Sequence, residues 1–342
     1  MRVAMYFSNR DVRLTERPTP TIGPGELLMK IHASGICGSD VMEWYRRDKV
    51  PLVLGHEVAG EVAEVGAGVT RFAVGDRIVV SHHVPCNTCL LCRRGHHTAC
   101  ETLRRTTFDP GGFAEFVRVP AINVDRGVYP IPAGLSYEEA SFAEPLACVL
   151  RGQRKIGVGP GVATLVIGAG ASGLLHVELA RTLGAGFIAA TDLSPFRLEQ
   201  AKKFGATATF LANDFNSDKL REAFDGRLAD RVIVTAGAAS AIAQGLAACE
   251  RGATVLLFAP MDEGAKFQLD VNQFFWRNDR TLTTTYAGTQ EDHLVALDLI
   301  AAGRFRARDM ITHRLPLARI QEGFDLVARG AESIKVIVEP QA

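Results

Sequence analysis

Four cysteines in a mostly polar segment constrain the fold more than any other feature of this chain. They are Cys86, Cys89, Cys92 and Cys100, in the spacing C-x2-C-x2-C-x7-C. Zn²⁺ prefers four thiolates at tetrahedral positions about 2.3 Å away, and short C-x2-C turns supply them without strain. The spacing therefore predicts a lobe over about residues 84–102 that is organised by a structural zinc ion.

Two other interpretations of these cysteines stay open at this point. Four thiolates also hold iron–sulfur clusters. A disulfide framework would need an oxidising compartment and is typical of small secreted domains, whereas this chain has 342 residues and 7 cysteines. A four-thiolate zinc site has no open coordination position, so we expect the chemistry to take place elsewhere.

Composition limits the class of protein. A length of 342 residues suggests about two domains. Lys plus Arg and Asp plus Glu are balanced at 38 each, which gives no electrostatic argument for binding nucleic acid or an anionic membrane. The N-terminal segment has no signal-peptide core, and the remaining cysteines are dispersed, so we expect a cytoplasmic protein.

The pattern of apolar residues changes near residue 150. The first 140 residues or so predict short strands separated by turn residues, as in a partly closed barrel or sandwich. These strands are Arg2–Phe7, Leu27–Ile31, Val58–Val65, Arg77–Val80 and Phe113–Val119. Beyond residue 150, strands and helices alternate, which predicts an α/β fold with a doubly wound parallel sheet. Its strands are Thr164–Ile167, Phe187–Thr191, Val232–Thr235, Ala253–Phe258 and Thr281–Thr285.

A glycine-rich turn directly follows the first strand of the second half. Gly168, Gly170 and Gly173 form G-x-G-x-x-G and open a predicted helix. Alone this motif is weak, but after a strand and before a helix it is typical of dinucleotide binding, with the pyrophosphate at the helix N-terminus. We predict that these glycines and Ser172 bind the cofactor.

Asp192, at the end of the next strand, predicts the cofactor type. A carboxylate there accepts hydrogen bonds from ribose hydroxyls and repels a 2′-phosphate, which favours NAD(H) over NADP(H). The alternative is that Asp192 only caps the following helix. Arg197 is a second candidate contact to the cofactor, with a solvated helix residue as its alternative.

A second metal site is the candidate reaction centre. Cys37 offers a thiolate, His56 and Glu57 offer an imidazole and a carboxylate, and Glu144 offers another carboxylate. Catalytic zinc takes about three protein ligands and keeps one position open. Each of these residues is ordinary by itself, and spacing alone cannot assemble ligands that lie so far apart in the chain.

The series of motifs along the whole chain resembles the zinc-dependent medium-chain dehydrogenases, and most closely the polyol branch that contains sorbitol, iditol and xylitol dehydrogenases. The resemblance rests on the segments 35–41, 55–57, 60–62, 65–66, 74–79, 112–116, 144–146 and 191–194, together with the four cysteines and the glycine-rich turn. It implies a GroES-like β-rich catalytic domain (1–146), an inserted Rossmann domain (147–288) and a C-terminal segment that returns to the first domain (289–342). It also implies reversible NAD-linked oxidation of a secondary alcohol to a ketone, with one catalytic and one structural Zn²⁺ per subunit.

The resemblance implies a role for each candidate residue. Cys37 and His56 match direct zinc ligands, and Glu57 matches a carboxylate that binds zinc directly or lies just behind it. Glu144 matches a glutamate that acts on zinc in polyol dehydrogenases, often through water. Ser39 matches the hydroxyl that passes the substrate proton outward, and Asp40 matches the carboxylate that orients the histidine.

One departure from the polyol branch leaves the substrate open. Glu43 stands where those enzymes carry a tyrosine. A threonine-type amino-alcohol or simple alcohol dehydrogenase uses the same machinery, and a non-catalytic NAD-binding homologue is the alternative from a different class. The family also implies a homo-oligomer, with a tetramer favoured and a dimer as the alternative.

Overall fold

A computed structural model describes residues 1–330 and 332–342. The chain divides into two compact units. Unit 1 comprises residues 1–147 and 287–342, and unit 2 comprises residues 148–286. The family resemblance implied divisions after residues 146 and 288, which differ from these by one and two residues.

The regular elements are labelled in chain order. The strands are β1 (Arg2–Ser8), β2 (Asp11–Glu16), β3 (Leu27–Gly35), β4 (Leu52–Val53), β5 (Glu57–Val65), β6 (Arg77–Val80), β7 (Phe116–Val119), β8 (Val128–Pro130), β9 (Ala163–Ile167), β10 (Phe187–Asp192), β11 (Ala208–Leu211), β12 (Ala229–Val234), β13 (Cys249–Leu257), β14 (Thr281–Thr284), β15 (Ile311–Pro316) and β16 (Lys335–Glu339). The α-helices are α1 (Glu43–Arg46), α2 (Leu90–Arg93), α3 (Glu101–Arg105), α4 (Ala121–Arg126), α5 (Tyr137–Ala140), α6 (Ala143–Ile156), α7 (Ala171–Thr182), α8 (Pro195–Phe204), α9 (Ser217–Ala223), α10 (Ala239–Ala247), α11 (Val271–Phe275), α12 (Gln290–Ala301), α13 (Ala307–Met310) and α14 (Ile320–Arg329).

Unit 1 is built on a mixed sheet in the order β15-β16-β3-β5-β6-β8, with β7 also paired to β3. A smaller sheet has the order β2-β1-β4. Two large apolar clusters pack within the described part of this unit. One lies between β1, β16 and α14, around Tyr6, Phe113 and Phe324, and the other lies under β3, β5 and β6, around Met29 and Ile78. The C-terminal strand β16 pairs with β3, which returns the end of the chain to this unit.

The strand predicted over 113–119 is shorter in the structure. Strand β7 begins at Phe116 because the chain before it turns to contact β1, where Val3 and Ala114 form an isolated antiparallel bridge. The buried Phe113 packs on Phe324 at 5.8 Å between ring centroids instead of continuing the ladder. The β-rich first half also contains short helices, which the strand pattern did not predict.

Unit 2 is a parallel sheet in the order β11-β10-β9-β12-β13-β14. Every neighbouring pair in this sheet is parallel. The order reverses at β9, and ligands of such sheets bind at the carboxyl ends of the strands where this reversal occurs. The α/β class predicted from the alternating pattern is confirmed.

Within the described residues, each helix is too short or too polar to cross a lipid bilayer.

Close packing of β3 against β5 leads to a first prediction. A Cβ atom added at Gly60, in the centre of β5, would lie 2.0 Å from the carbonyl oxygen of Lys30 in β3. We expect Gly60→Ala to lower the free energy of unfolding by about 1–3 kcal/mol, because backbone must move to relieve the overlap. Thermal and denaturant unfolding of the purified protein measure the change.

Gly159→Ala is the matched control. A Cβ atom at Gly159 would meet no heavy atom within 4 Å. An unfolding midpoint for Gly60→Ala equal to that of Gly159→Ala would contradict the packing described here.

Candidate metal centres and nucleotide site

The four cysteines of the polar lobe come together as a compact set of sulfur atoms. Their ligand atoms all lie within 4.8 Å of one another. Cys89 and Cys92 are 3.6 Å apart between Sγ atoms, Cys86 and Cys100 are 3.6 Å apart, and Cys86 and Cys92 are 4.0 Å apart. A tetrahedron with Zn–S bonds of about 2.3 Å has S···S edges of about 3.8 Å. The cluster therefore fits zinc.

The same distances decide between the alternatives for this lobe. All seven cysteines are free thiols, so the disulfide framework is wrong. An iron–sulfur cluster distributes its thiolates over several irons, whereas these sulfurs surround one point. Hydrogen bonds from Thr88 and from the N–H of Cys89 lower the pKa of Cys86 to about 5, which favours the thiolate form that metals bind.

A second cluster joins Cys37, His56 and Glu57, whose ligand atoms also lie within 4.8 Å of one another. Strand β3 ends at Gly35 and β5 begins at Glu57, and these two residues are directly paired in the antiparallel ladder. Cys37 follows β3 by two residues and His56 precedes β5 by one. The register of the two strands therefore brings the thiol and the imidazole together.

Asp40 lies behind His56 and is fully buried. One carboxylate oxygen accepts a hydrogen bond from the N–H of Cys37 at 3.0 Å, and the other lies 3.5 Å from Nδ1 of His56 and 3.9 Å from the guanidinium of Arg46. Burial alone would lower the pKa of His56, but Asp40 raises it well above its ordinary value. With Nδ1 turned toward Asp40, Nε2 of His56 is free to face the metal position.

Glu57 is held by Lys335, a residue that the sequence analysis did not identify. The ammonium of Lys335 in β16 donates to both carboxylate oxygens of Glu57, at 2.6 and 2.9 Å. Both side chains are buried, with 4% of the Lys335 side chain and 1% of the Glu57 side chain exposed. Burial lowers the pKa of Lys335, but Glu57, Cys37 and Glu144 more than compensate, and the pKa is raised. Lys335 thus neutralises a buried carboxylate beside the thiol.

The remaining candidates are arranged around this cluster. Glu144 lies in the first turn of α6 and is not part of the three-residue group, although its charge acts on Lys335. Ser39 is half-buried in the short 3₁₀ turn that follows Cys37. Glu43 is exposed in the first turn of α1.

Other histidines, which the sequence analysis did not mention as site residues, pack beside His56. The ring of His82 has its centroid 4.9 Å from that of His56 and 3.8 Å from that of His83. Burial and neighbouring positive charges lower the pKa of His82 well below its ordinary value, and burial lowers the pKa of His83 to about 4. Both rings are therefore neutral near pH 7.

The glycine-rich turn in unit 2 lets other groups approach its backbone closely, because its glycines lack Cβ atoms. Gly168 has a φ of +92°, and a Cβ atom at Gly173 would lie 1.9 Å from the carbonyl oxygen of Gly168. Helix α7 begins at Ala171 with its free N–H groups at this turn, and Ser172 lies in its first turn. Free N–H groups and the helix dipole favour an anion such as a pyrophosphate.

Asp192 connects the end of β10 to this turn. Its carboxylate accepts hydrogen bonds from the N–H of Ala169 at 2.7 Å and from the N–H of Ser194 at 2.8 Å. Ser194, not Asp192, caps helix α8, so the capping interpretation of Asp192 is wrong. The guanidinium of Arg197 lies 3.7 Å from Asp192 and is three-quarters buried, so Arg197 is not a freely solvated residue.

Of the site residues that the sequence analysis did not identify, only Lys335 is indicated by the sequence pattern. Lys335 interrupts an otherwise apolar run from 334 to 338, and a single lysine in a buried strand indicates a paired charge. Arg46 and His82 lie in polar segments, where nothing in the pattern distinguishes them from solvated side chains. The structure identifies them through their contacts with Asp40 and His56.

Comparisons with known proteins identify the family of this chain. The sequence model of the alcohol dehydrogenase GroES-like domain matches residues 23–133, and that of the zinc-binding dehydrogenase family matches residues 171–302. Sorbitol dehydrogenase of Gallus gallus is 31% identical over 96% of this chain and 93% of its own length. L-Threonine 3-dehydrogenase of Bacillus velezensis is 34% identical over 96% of this chain and 95% of its own length.

A solved structure extends the similarity to three dimensions. Alcohol dehydrogenase TADH from Thermus sp. ATN1 superimposes with a TM-score of 0.87 at 31% identity, and the match covers 99% of each chain. The similarity thus spans both units, the four-cysteine lobe and the glycine-rich turn. The chain belongs to the zinc-dependent medium-chain dehydrogenase family, on its polyol dehydrogenase branch.

Proposed function

We propose that this enzyme oxidises a secondary alcohol of a polyol or sugar alcohol reversibly to a ketone, with NAD⁺ as the acceptor. The observation that carries the proposal is the cluster of Cys37, His56 and Glu57 in a chain that also holds the dinucleotide turn. The similarity to a sorbitol dehydrogenase supports the polyol class. NAD⁺ reduction measured over polyols, simple secondary alcohols and amino alcohols tests the proposal.

We propose that Cys37 and His56 bind the catalytic zinc directly. When bound, zinc supplies a Lewis acid that polarises the alcohol oxygen, and the nicotinamide supplies the hydride acceptor. The carboxylate of Asp40 lies 3.5 Å from Nδ1 of His56 and so favours the tautomer that leaves Nε2 available. Ser39, two residues from Cys37, takes the proton of the substrate hydroxyl and passes it toward solvent.

The two glutamates have different roles in this proposal. Glu57 forms an ion pair with Lys335. Because its carboxylate is already paired, we propose that Glu57 lies just behind the metal and does not bind it directly. Removing Lys335 would leave a buried carboxylate unpaired. Glu144, which lies outside the compact group, would act on the bound metal directly or through a water molecule.

Cys86, Cys89, Cys92 and Cys100 are proposed to hold the structural zinc. Their lobe contains little apolar packing besides Leu103, so the metal supplies the cohesion that a hydrophobic core would otherwise give.

The nucleotide is proposed to bind through Gly168, Gly170, Ser172 and Gly173 at its pyrophosphate, and through Asp192 at its adenosine ribose. The carboxylate of Asp192 retains lone pairs for ribose hydroxyls and repels a 2′-phosphate. The guanidinium of Arg197 beside it would attract phosphate, but its charge is partly neutralised by Asp192. NAD(H) is therefore the preferred cofactor.

An amino-alcohol substrate is the second candidate. It is favoured by the similarity to an L-threonine 3-dehydrogenase and by the exposed Glu43, which could pair with a cationic amine. A non-catalytic NAD-binding role is the different-class alternative. It predicts one zinc per chain instead of two.

Assembly and location complete the proposal. Strand β14 is an edge strand of the unit 2 sheet, and the preceding segment exposes Val271, Phe275 and Trp276, the last with 71% of its surface exposed. Apolar side chains beside an open edge favour burial against another subunit. We propose that the enzyme is a homo-oligomer, a tetramer in preference to a dimer, and light scattering measures its mass. We also propose that it is located in the cytoplasm, where free thiols are retained.

Loss of a proposed catalytic ligand gives the second prediction. We expect Cys37→Ser and His56→Ala each to abolish turnover and to remove one of two zinc equivalents per chain, because each change removes one of the two side chains proposed to bind the ion directly. Elemental analysis and NAD⁺ reduction measure both effects. The control is Cys249→Ser, a buried cysteine of unit 2 whose hydroxyl replacement can still donate to the carbonyl of Gly245. Turnover that survives either ligand change would refute this site.

Loss of a lobe ligand gives the third prediction. We expect Cys89→Ser to remove the other zinc equivalent and to lower the thermal midpoint by about 5 °C or more. The rate of the hydride step, followed in single-turnover measurements, should change by less than about threefold, because the lobe is separate from the reactive cluster. If Cys89→Ser kept an intact fold but lost the catalytic zinc, the assignment of the two sites would be overturned.

Cofactor preference gives the fourth prediction. We expect Asp192→Asn to raise the ratio of kcat/KM for NADP⁺ to that for NAD⁺ by about tenfold, equivalent to about 1.4 kcal/mol. The change keeps the shape of the side chain and removes the charge that repels the 2′-phosphate. The exposed Asp214→Asn is the control. If the ratio of kcat/KM values for Asp192→Asn equalled that of the control, Asp192 would not be a residue that recognises the ribose.

A further inference from the structure

Two buried histidines near the proposed catalytic ligands have no assigned role. His82 follows β6, and its ring lies against His56 at 4.9 Å between centroids and near Phe108 at 6.2 Å. The buried carboxamide of Asn123 donates to the carbonyl oxygens of Ser81 and His82, at 2.9 and 3.0 Å. The backbone that carries the His82 ring is therefore fixed beside a proposed metal ligand.

His293 lies in the first turn of α12, and its tautomer can be derived from its contacts. Its Nδ1 lies 2.8 Å from the carbonyl oxygen of Thr289, which can only accept a hydrogen bond, so Nδ1 carries the proton. Burial lowers the pKa of His293, so the ring is neutral and Nε2 presents a lone pair. Tyr129 stacks on the ring at 5.4 Å with planes 7° apart, which fixes the direction of that lone pair.

One nitrogen of each ring is buried without a partner. Nδ1 of His82 and Nε2 of His293 are shielded from solvent and form no hydrogen bond to any residue that the structure describes. The two rings belong to the same region, because Tyr129, which stacks on His293, pairs with Val79 in the β6–β8 ladder, and His82 follows β6 by two residues. A buried nitrogen without a hydrogen-bond partner is destabilising, so this region favours an occupant that can pair with both nitrogens.

A further metal ion does not account for these nitrogens. In the described part of the chain, two groups of three or more closely spaced metal-binding side chains occur, and neither includes His82 or His293. Neutral imidazoles pair well with hydroxyl groups, because a hydroxyl both donates and accepts. An alcohol with a single hydroxyl, which the metal site engages, would leave both nitrogens unpaired.

We propose that His82 and His293 bind the hydroxyl groups of the substrate that do not react, and are thus the residues by which this enzyme distinguishes a polyol from a simple secondary alcohol. This inference rests on the proposed function and adds the residues that set its specificity. His82, next to His56, contacts the hydroxyl adjacent to the reacting carbon, and His293 contacts one farther along the chain.

The test compares 2,3-butanediol, in each stereoisomer, and 2-butanol, which share a carbon skeleton and differ by one hydroxyl. We expect the wild type to show a kcat/KM for its preferred diol isomer at least about tenfold above that for 2-butanol. His82→Phe keeps an aromatic ring and removes its nitrogens, so this ratio should fall by about tenfold, mainly through KM of the diol. His82→Gln, which retains hydrogen-bonding atoms, should recover part of the ratio.

A longer polyol tests His293 separately. His293→Phe should lower kcat/KM for sorbitol by about tenfold relative to its effect on 2,3-butanediol, because the shorter diol does not extend to this ring. The binding of each polyol to the enzyme–NADH complex, measured by calorimetry, should weaken in parallel and requires no turnover. His313→Phe, at a half-buried histidine in β15, is the matched control and should change neither ratio.

The outcomes separate this inference from the proposed function. A wild type that oxidises 2-butanol as efficiently as the diols would overturn the inference alone, as would variants that lower kcat/KM for diol and mono-alcohol in the same proportion with both zincs retained. A wild type that oxidises none of the secondary alcohols with NAD⁺ or NADP⁺ would overturn the proposed function, and the inference with it.

Discussion

The antiparallel pairing of β3 with β5 is the constraint on which the reactive cluster depends. Gly35 and Glu57 are partners in this ladder, so the residues just beyond each strand end, Cys37 and His56, lie side by side. A slip of one residue would turn every side chain of a strand to the opposite face. The close approach of the two strands at Gly60 opposes such a slip. Strand β16 then adds Lys335 from the far end of the chain, beside the same carboxylate.

The charged side chains around Cys37, His56 and Glu57 occur with partners of opposite charge. Lys335 neutralises Glu57, and Asp40 lies between His56 and Arg46. Each of these carboxylates is almost completely buried, where an unpaired charge would be strongly destabilising. The arrangement leaves the thiol of Cys37 and one nitrogen of His56 for the proposed metal. Burial and nearby positive charge lower the pKa values of the neighbouring His82 and His83, so both rings remain neutral.

The two metal sites differ in how far their geometry follows from sequence. The cysteines of the lobe lie within fifteen consecutive residues, so local turns alone bring their sulfurs to within 4.8 Å of one another. Cys37, His56 and Glu144 are separated by long stretches of chain, and spacing could not assemble them. Their grouping was an expectation from a family resemblance. The structure brings Cys37, His56 and Glu57 together and leaves Glu144 outside this group.

The sequence by itself determined the fold class, the four-cysteine lobe and the dinucleotide turn, because each depends on interactions between residues close in the chain. Periodic apolar residues define strands and helices, and glycines define the turn before α7. Tertiary structure alone decided that Lys335 pairs with Glu57, that Arg46 lies near Asp40, and that His82 packs on His56. These contacts join residues from distant segments. Their partners are fixed by strand register and burial, which a one-dimensional pattern does not encode.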